Sequence, residues 1–215
     1  MSEIESFEKQ MDRLASTTKS SFIFIIPAIL YSVDSKFDIG SFEGGISLGG
    51  YPLTPLAAVY VILFVTCLIT SILVAQLYKL KSSIAKIEGE MEKAESIIRD
   101  HQWWVNPFAQ MASDAPNLLR YFYDFLRPTL FLAYLVILHA PVFMLSNIDG
   151  VNSIVSYTLL VWFGFIWWFA YMGVEEVEKA IRKCETKDLT MLNLAGTVVF
   201  LSSAYFAFSY VFDKG

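Results

Sequence analysis

Four stretches of this chain are long, apolar and free of Asp, Glu, Lys and Arg, and they limit the possible folds more than any other feature. A helix needs about 20 such residues to cross the hydrocarbon core of a bilayer. A soluble domain would have difficulty hiding this much apolar surface, because 55% of the chain is hydrophobic and only 17% is charged. The stretches therefore predict membrane-spanning helices at 54–78, 128–147, 151–174 and 191–212.

A fifth apolar run, residues 20–33, is shorter, about 21 Å as a helix against a hydrocarbon core of about 30 Å. It could span the bilayer with help from its flanks, or it could be re-entrant or interfacial. The cations decide between these alternatives, because cytoplasmic connections carry an excess of Lys and Arg. Lys and Arg number 3, 1, 7, 0, 4 and 1 in 1–19, 34–53, 79–127, 148–150, 175–190 and the residues after 212. This alternation predicts five spans, with the N-terminus inside and the C-terminus outside.

The predicted fold class is all-α: a polytopic bundle of about five membrane segments, four long and one short, with a cytosolic, coiled-coil-like helical stalk. Its parts follow from the runs and the charges between them. They are a cytosolic amphipathic helix (1–19), a first membrane hairpin (20–78) with an external Gly-rich loop (34–53), the stalk with a tryptophan-bearing segment (79–127), a second membrane hairpin (128–174), a cytosolic loop (175–190) and a last span with a short tail (191–215). The external loop holds five glycines, and the short apolar segments around Glu43-Gly44-Gly45 indicate a small hairpin or a structured loop, with a flexible linker as the alternative.

A heptad pattern continues out of the second span. Its members, at alternating spacings of three and four, are Leu77, Leu80, Ile84, Ile87, Met91, Ala94 and Ile98. The pattern predicts one helix over 54–100 that projects about 33 Å beyond Tyr78. Residues 3–19 repeat the rhythm and would form its antiparallel partner, or the same seam could also join subunits. A helix lying flat on the membrane is disfavoured, because cations and anions balance over 79–100.

The sequence HQWWVNPFAQM places Trp103 and Trp104 in the most charged part of the chain. Internal packing is the favoured interpretation. A partner-binding surface formed with Phe108 is the second, and membrane contact is the third, because the predicted rod holds the indoles far from lipid. Asn106-Pro107 predicts a turn, and a helix is predicted over 117–127 after Pro116.

Catalytic chemistry has little to build on in this sequence. Only two histidines occur, and HExxH, CxxC, GxxxxGK[ST] and GxSxG are absent from it. We therefore expect neither an enzyme nor a metal or cofactor site. His139 is the one ionisable residue well inside a long run, tyrosine and cysteine aside, and with Asn193 it marks a possible intramembrane polar site. That site would be an interhelical hydrogen bond or part of a proton or ion path.

Two classes of function fit these features. The first is a non-enzymatic, self-associating membrane subunit that docks a cytosolic protein on its stalk. The second is an ion-conducting or membrane-depolarising pore, which would need His139, Asn193 and serines to supply a polar lining. A net charge of −5 argues against direct binding of nucleic acid.

The layout of the chain resembles the membrane subunit of the Kiwa system, among the small polytopic proteins of bacterial anti-phage operons. The likeness lies in the size, in the near-uncharged runs 54–78, 128–147, 151–174 and 191–212, and in the segment 79–127 between them. It implies a homo-oligomeric sensor of infection in the bacterial inner membrane, with a cytosolic effector bound to the stalk. That effector, and not this chain, would act on nucleic acid. The five predicted spans depart from the four of that family, and no functional residue is carried over.

Overall fold

A computed structural model describes residues 3–37, 46–48, 51–53, 55–87, 89–110, 114–138, 153–182 and 192–202. These residues are helical except for connections and one short β-ribbon. In chain order the elements are α1 (Glu3–Phe37), β1 (Ile46–Leu48), β2 (Tyr51–Leu53), α2 (Pro55–Ile84), α3 (Met91–Asp100), α4 (Asn117–Leu138), α5 (Ser153–Arg182) and α6 (Leu192–Ser202).

The β-ribbon is a small departure from the predicted all-α class. Its strands are antiparallel, with Ile46 opposite Leu53 and Leu48 opposite Tyr51. Of the two alternatives for the Gly-rich loop, the hairpin is confirmed. Its strands follow Glu43-Gly44-Gly45 instead of flanking it.

α1 and α2 form the predicted antiparallel hairpin. Gln76 Nε2 donates to Thr17 Oγ1 at 3.0 Å, and Ser83 Oγ donates to Gln10 Oε1 at 2.9 Å, which fixes the register. The heptad residues are buried, as predicted, except Met91, which is only partly buried. The buried side chains of the seam are Ile4, Phe7, Met11, Leu14, Leu77, Leu80, Ile84, Ile87, Ala94 and Ile98.

The prediction of one continuous helix over 54–100 is wrong. α2 ends at Ile84, where the backbone tightens into i→i+3 hydrogen bonds from Lys86 to Ser83 and from Ile87 to Ile84. Gly89 then adopts a positive φ of 80°. This left-handed conformation is a common helix terminator that glycine adopts at little cost. Only about 9 Å of α2 extends beyond Tyr78, not 33 Å.

The chain after this turn folds back onto the bundle and forms what we call the cap, the described residues between Ala85 and Gln110. α3 packs against α1 and α5, so that Ala94 and Ile98 are buried. The predicted rod is therefore replaced by a compact layer at one end of the helices. The predicted separation of the indoles from the membrane is also wrong, because they contact Phe22 and Phe131 inside two of the apolar runs.

The directions of the longer helices follow from their contacts. α2 and α5 are parallel, because a Cβ on Gly173 would meet Leu77 at 3.2 Å while Lys81 pairs with Glu176 one turn further along both helices. α5 and α6 are antiparallel, because Tyr171 contacts Asn193 and Trp167 contacts Phe200. α4 packs against α1 through Tyr134. α5 ends at Arg182, so the helix of the apolar run 151–174 continues by about two turns into the segment 175–190 that was predicted to be a loop.

Two helices among the described residues are long and apolar enough to cross a membrane: Tyr60–Ile84 within α2, and the whole of α4. Only 28% and 33% of their most apolar stretches are buried in the protein. The core helix of a soluble protein would be mostly buried, so this exposure favours apolar surroundings. Large apolar side chains on the outside of these helices include Phe64, Leu68, Leu130 and Ile137.

Candidate interaction site in the cap

A buried ion pair attaches the cap to α5. Arg99 Nη1 donates to Glu178 Oε1 at 2.8 Å, Nη2 donates to Oε2 at 3.1 Å, and the two side chains are 7% and 9% exposed. Arg99 Nη1 also donates to the carbonyl of Phe108 at 2.8 Å. One guanidinium therefore joins α3, α5 and the loop that follows α3, a geometry that suits the planar fork of arginine.

Asn106 organises the loop after α3 from a fully buried position. Its Nδ2 donates to the Ile98 carbonyl at 2.8 Å, and its Oδ1 accepts from the Phe108 N–H at 3.0 Å. The Ile98 carbonyl is one of the last in α3 and has no partner within the helix, so the asparagine side chain acts as a C-terminal cap. The turn predicted at Asn106-Pro107 is present, and it is stabilised by these bonds.

Trp103 and Phe108, predicted as partner-binding residues, are core residues instead. Trp103 is 2% exposed and Phe108 has no exposed surface. The Trp103 ring packs edge-on against Phe131 of α4, with centroids 5.4 Å apart. A side chain without exposed surface cannot contact a partner, so internal packing, the favoured interpretation of Trp103, is what the structure has.

Trp104, the third predicted partner-binding residue, is 51% exposed. Its ring lies edge-on to Phe22 of α1 at 4.6 Å and to Tyr134 of α4 at 6.0 Å, measured between centroids. Arg127 Nη1 donates to its carbonyl at 3.3 Å. Trp104 is therefore a surface residue seated between two helices, next to a buried neighbour.

Weaker polar contacts surround the cap. His101 Nε2 donates to Asp12 Oδ1 of α1 at 3.1 Å. At the cap end of α2, the hydrogen bond and charge of Lys81 lower the pKa of Glu176. Within α5, the hydrogen bond to Glu175 raises the pKa of Lys179. Lys81 is 43% exposed, and solvated pairs of this kind contribute less than about 1 kcal/mol.

Polar side chains also link helices along the apolar part of the bundle. Ser21 Oγ and the Tyr134 hydroxyl share a hydrogen bond of 2.5 Å, which ties α1 to α4. Asn193 accepts a hydrogen bond from the Tyr171 hydroxyl, which ties α6 to α5. Asn193 therefore acts as an interhelical link, while His139 lies outside the described residues. In the part of the chain that the structure describes, no group of His, Cys, Asp or Glu could hold a metal ion.

The ion pair of Arg99 was not predicted, although the sequence carries a signal for it. Val174, Val177 and Ile181 form the buried face of α5, and Glu178 lies on that face. A lone carboxylate on an apolar helical face indicates a buried basic partner, because an unpaired buried charge is costly. Asn106 gave no comparable signal, because its role depends on where the loop folds back.

No protein-family model matches this chain, and neither a curated protein nor a solved structure does.

Proposed function

We propose that the chain is a multi-pass membrane protein of five spans in which the cap holds the N-terminal part of α1 in place as a cytoplasmic platform for a soluble protein partner. Four of the spans would be α1, α2, α4 and α5, and the last would begin with α6. The protein would act as a non-enzymatic, self-associating subunit. The layout likeness to the Kiwa membrane subunit would make it an inner-membrane protein and its partner a defence effector.

The observation that carries this proposal is the parallel course of α2 and α5. Two spans that cross in the same direction require the chain to cross once in the opposite direction between them. α4, which is apolar and has only 33% of its most apolar stretch buried, is suited to that crossing. The antiparallel neighbours α1 and α6 then complete an alternating order, in agreement with the distribution of cations.

The length of α1 supports a crossing by the shortest apolar run. The run 20–33 alone is too short, but the helix continues to Phe37. Residues 20–37 rise about 27 Å, close to the hydrocarbon thickness of about 30 Å. The first span would therefore end beyond the apolar run, with its polar end residues at the outer surface.

The docking role is supported by how firmly the cap is held and by the charge of the helix beside it. Arg99, Asn106, Trp103 and Phe108 fix the cap to the bundle, so a partner would meet a preformed surface. Residues 3–13 of α1 present four carboxylates and two cations, and Glu3 and Glu8 are exposed. A soluble protein with a basic patch is the partner that this face favours.

Membrane topology is the first test. Single cysteines at Ser16 and Ser47, in a chain whose native cysteines are replaced by serine, should react with an impermeant maleimide from opposite sides of oriented membrane vesicles. Ser16 should react only from the cytoplasmic side. Equal reaction from one side would refute the odd number of crossings between these positions.

Docking is tested by charge reversal that avoids the buried seam. Glu3→Lys with Glu8→Lys should abolish crosslinking of the cytosolic protein that the wild-type chain captures in cells. Lys86→Glu with Lys93→Glu reverses as many charges at exposed positions of the cap, outside residues 3–13 of α1, and serves as the matched control. Equal capture by both variants would refute docking on the acidic face of α1.

Self-association is tested by native mass spectrometry in detergent, which gives the number of copies of the chain in one particle.

A further inference from the structure

Trp104 lies in the groove between α1 and α4 at a depth that both helices define. Lys19 and Arg127 are the last cations before the apolar runs of these helices. Phe22 follows Lys19 by about one helical turn, roughly 5 Å, and Tyr134 follows Arg127 by about two turns, roughly 11 Å. Because the indole contacts both rings, it lies some 5 to 10 Å past the boundary cations, a typical depth for interfacial apolar groups.

The groups around the indole change from apolar on one side to cationic on the other, as they do at the edge of a bilayer. Ile23, next to Phe22, is 70% exposed and extends the apolar surface of α1. On the other side, the Arg127 guanidinium lies 4.5 Å from the centre of the Tyr123 ring and gives one N–H to the Trp104 carbonyl. A guanidinium has five N–H donors, so it can bind an anion as well.

We propose that Trp104 is a lipid-binding element of the cap: its exposed face lies against the upper acyl chain of a phospholipid whose phosphate binds Arg127. This inference rests on the proposed function, because it requires α1 and α4 to cross the bilayer. It fits the preference of tryptophan for membrane interfaces. The cap is then held on one side by Trp103 in the protein core and on the other by Trp104 in lipid.

A soluble protein is a poorer occupant for this surface. The exposed half of Trp104 is flanked by α1 and α4 below the level of Lys19 and Arg127, so a cytosolic partner would have to enter the lipid layer to reach it. The docking surface of the proposed function, the acidic face of α1 over residues 3–13, lies on the other side of these cations along α1.

Fluorine NMR on the full chain tests the proposal without altering its fold. The protein is labelled with 5-fluorotryptophan and placed in nanodiscs of phosphatidylcholine and phosphatidylglycerol. Each resonance is assigned by its loss in the corresponding Trp→Phe variant. The relaxing agents are a lipid with a nitroxide near the top of the acyl chain, a lipid with a nitroxide at the chain end, and an aqueous gadolinium chelate.

The Trp104 resonance should broaden most with the shallow nitroxide, and the Trp103 resonance should stay narrow throughout. Broadening of Trp104 by gadolinium alone would overturn the proposal in favour of a water-facing site. A Trp104 resonance that no agent affects would overturn it in favour of cover by another protein or a second copy. Trp162, which is exposed on α5, separates the two proposals, because its failure to respond to either nitroxide lipid would refute the membrane bundle itself.

The proposed contact between Arg127 and the lipid phosphate is tested by a variant and a matched control. Arg127→Gln removes the guanidinium but keeps the rings, so the shallow nitroxide should broaden Trp104 several-fold less. Arg13→Gln, at an exposed position on α1 outside the groove, should leave that broadening unchanged. Equal broadening in wild type and Arg127→Gln would refute the role of Arg127.

Discussion

Arg99 of α3 and Glu178 of α5 meet in a two-point ion pair, with nitrogen–oxygen distances of 2.8 and 3.1 Å and less than a tenth of either side chain exposed. The two residues are far apart in sequence and belong to the cap and to a helix of the bundle. Their pairing is what makes the cap a part of the bundle instead of a separate stalk. It holds the cap in place together with the buried Trp103 and Phe108.

Breaking the pair by removing one partner should destabilise the protein by up to about 3 to 5 kcal/mol, because the other charge stays buried without its two-point partner. Arg99→Met and Glu178→Leu should each lower the thermal midpoint in detergent, with new trypsin cleavage at Lys86 and Lys93. The double variant should recover most of the loss, because neither charge remains. A double variant with the summed loss of the two single variants would show that the residues do not interact.

Gly89→Ala should destabilise the turn between α2 and α3. Nothing lies within 4 Å of a Cβ at this position, so the cost is the backbone conformation alone, about 1 to 2 kcal/mol for a left-handed residue. Gly89→Asn should cost less, because asparagine tolerates that conformation better. Both are measured by thermal unfolding. If Gly89→Ala were as stable as wild type, the continuous helix predicted from the heptads would be favoured again.

The heptad pattern predicted the buried residues of α2 and α3 correctly but not their geometry. Periodicity reports which side chains share an apolar environment, and Ile84 and Ile98 are both buried as expected. It does not report whether the backbone between them is one helix. Gly89 lies between heptad positions, and its effect as a helix terminator is the local signal that decides the matter.

The tryptophan pair also could not be interpreted fully from the sequence. Adjacent indoles in a polar segment indicate an apolar partner, and the sequence favoured the protein core. That is right for Trp103, while half of Trp104 is outside the protein. The difference depends on how the loop folds onto Phe131 of α4, a contact between residues too distant in sequence for a local pattern to reveal.

Gly196→Ala should weaken the packing of α6 on α5. A Cβ at Gly196 would lie 2.5 Å from the Tyr171 ring, closer than atoms can approach, so the ring or one of the helices must shift. Gly164→Ala is the matched control, because nothing lies within 4 Å of its Cβ and alanine favours a helix. Only the first should lower the thermal midpoint in detergent, and the interhelical bond between Tyr171 and Asn193 should be lost with it. Equal midpoints would contradict the close packing.

Acid should remove the contribution of the Lys81–Glu176 pair. The pKa of Glu176 is lowered in the folded protein, mainly by its hydrogen bond from Lys81. The stabilisation is therefore complete above about pH 4.3, the ordinary value for glutamate, and is lost as the pH falls through the lower folded value. Lys81→Gln should remove this acid-dependent contribution, so the fall in the free energy of unfolding at low pH should be smaller by less than about 1 kcal/mol. Thermal midpoints measured against pH give the comparison.

Lys93→Gln is the control for that titration, because its pair with Glu90 is 3.8 Å long and both side chains are more than half exposed. It should leave the acid limb unchanged. An acid limb identical in wild type and Lys81→Gln would contradict the pairing.

At the alkaline end, the raised pKa of Lys179 makes stability depend on pH in the opposite direction. The contribution of Lys179 is complete below about pH 10.4 and is lost as the pH rises through the higher folded value.

Trp103→Ala and Trp104→Ala should have clearly different effects on folding in detergent. Trp103 fills the space against Phe131, and removal of a buried tryptophan costs about 3 to 5 kcal/mol. Trp104 is half exposed and should cost less than half as much, as should Trp168→Ala, whose side chain is 54% exposed on α5. Thermal unfolding gives the comparison. Equal losses for Trp103 and Trp104 would mean that both rings are core residues and that Trp104 has no surface to offer to lipid. A large loss for Trp103 would also mean that failure of this variant to capture a partner reflects an unfolded cap and not a missing contact.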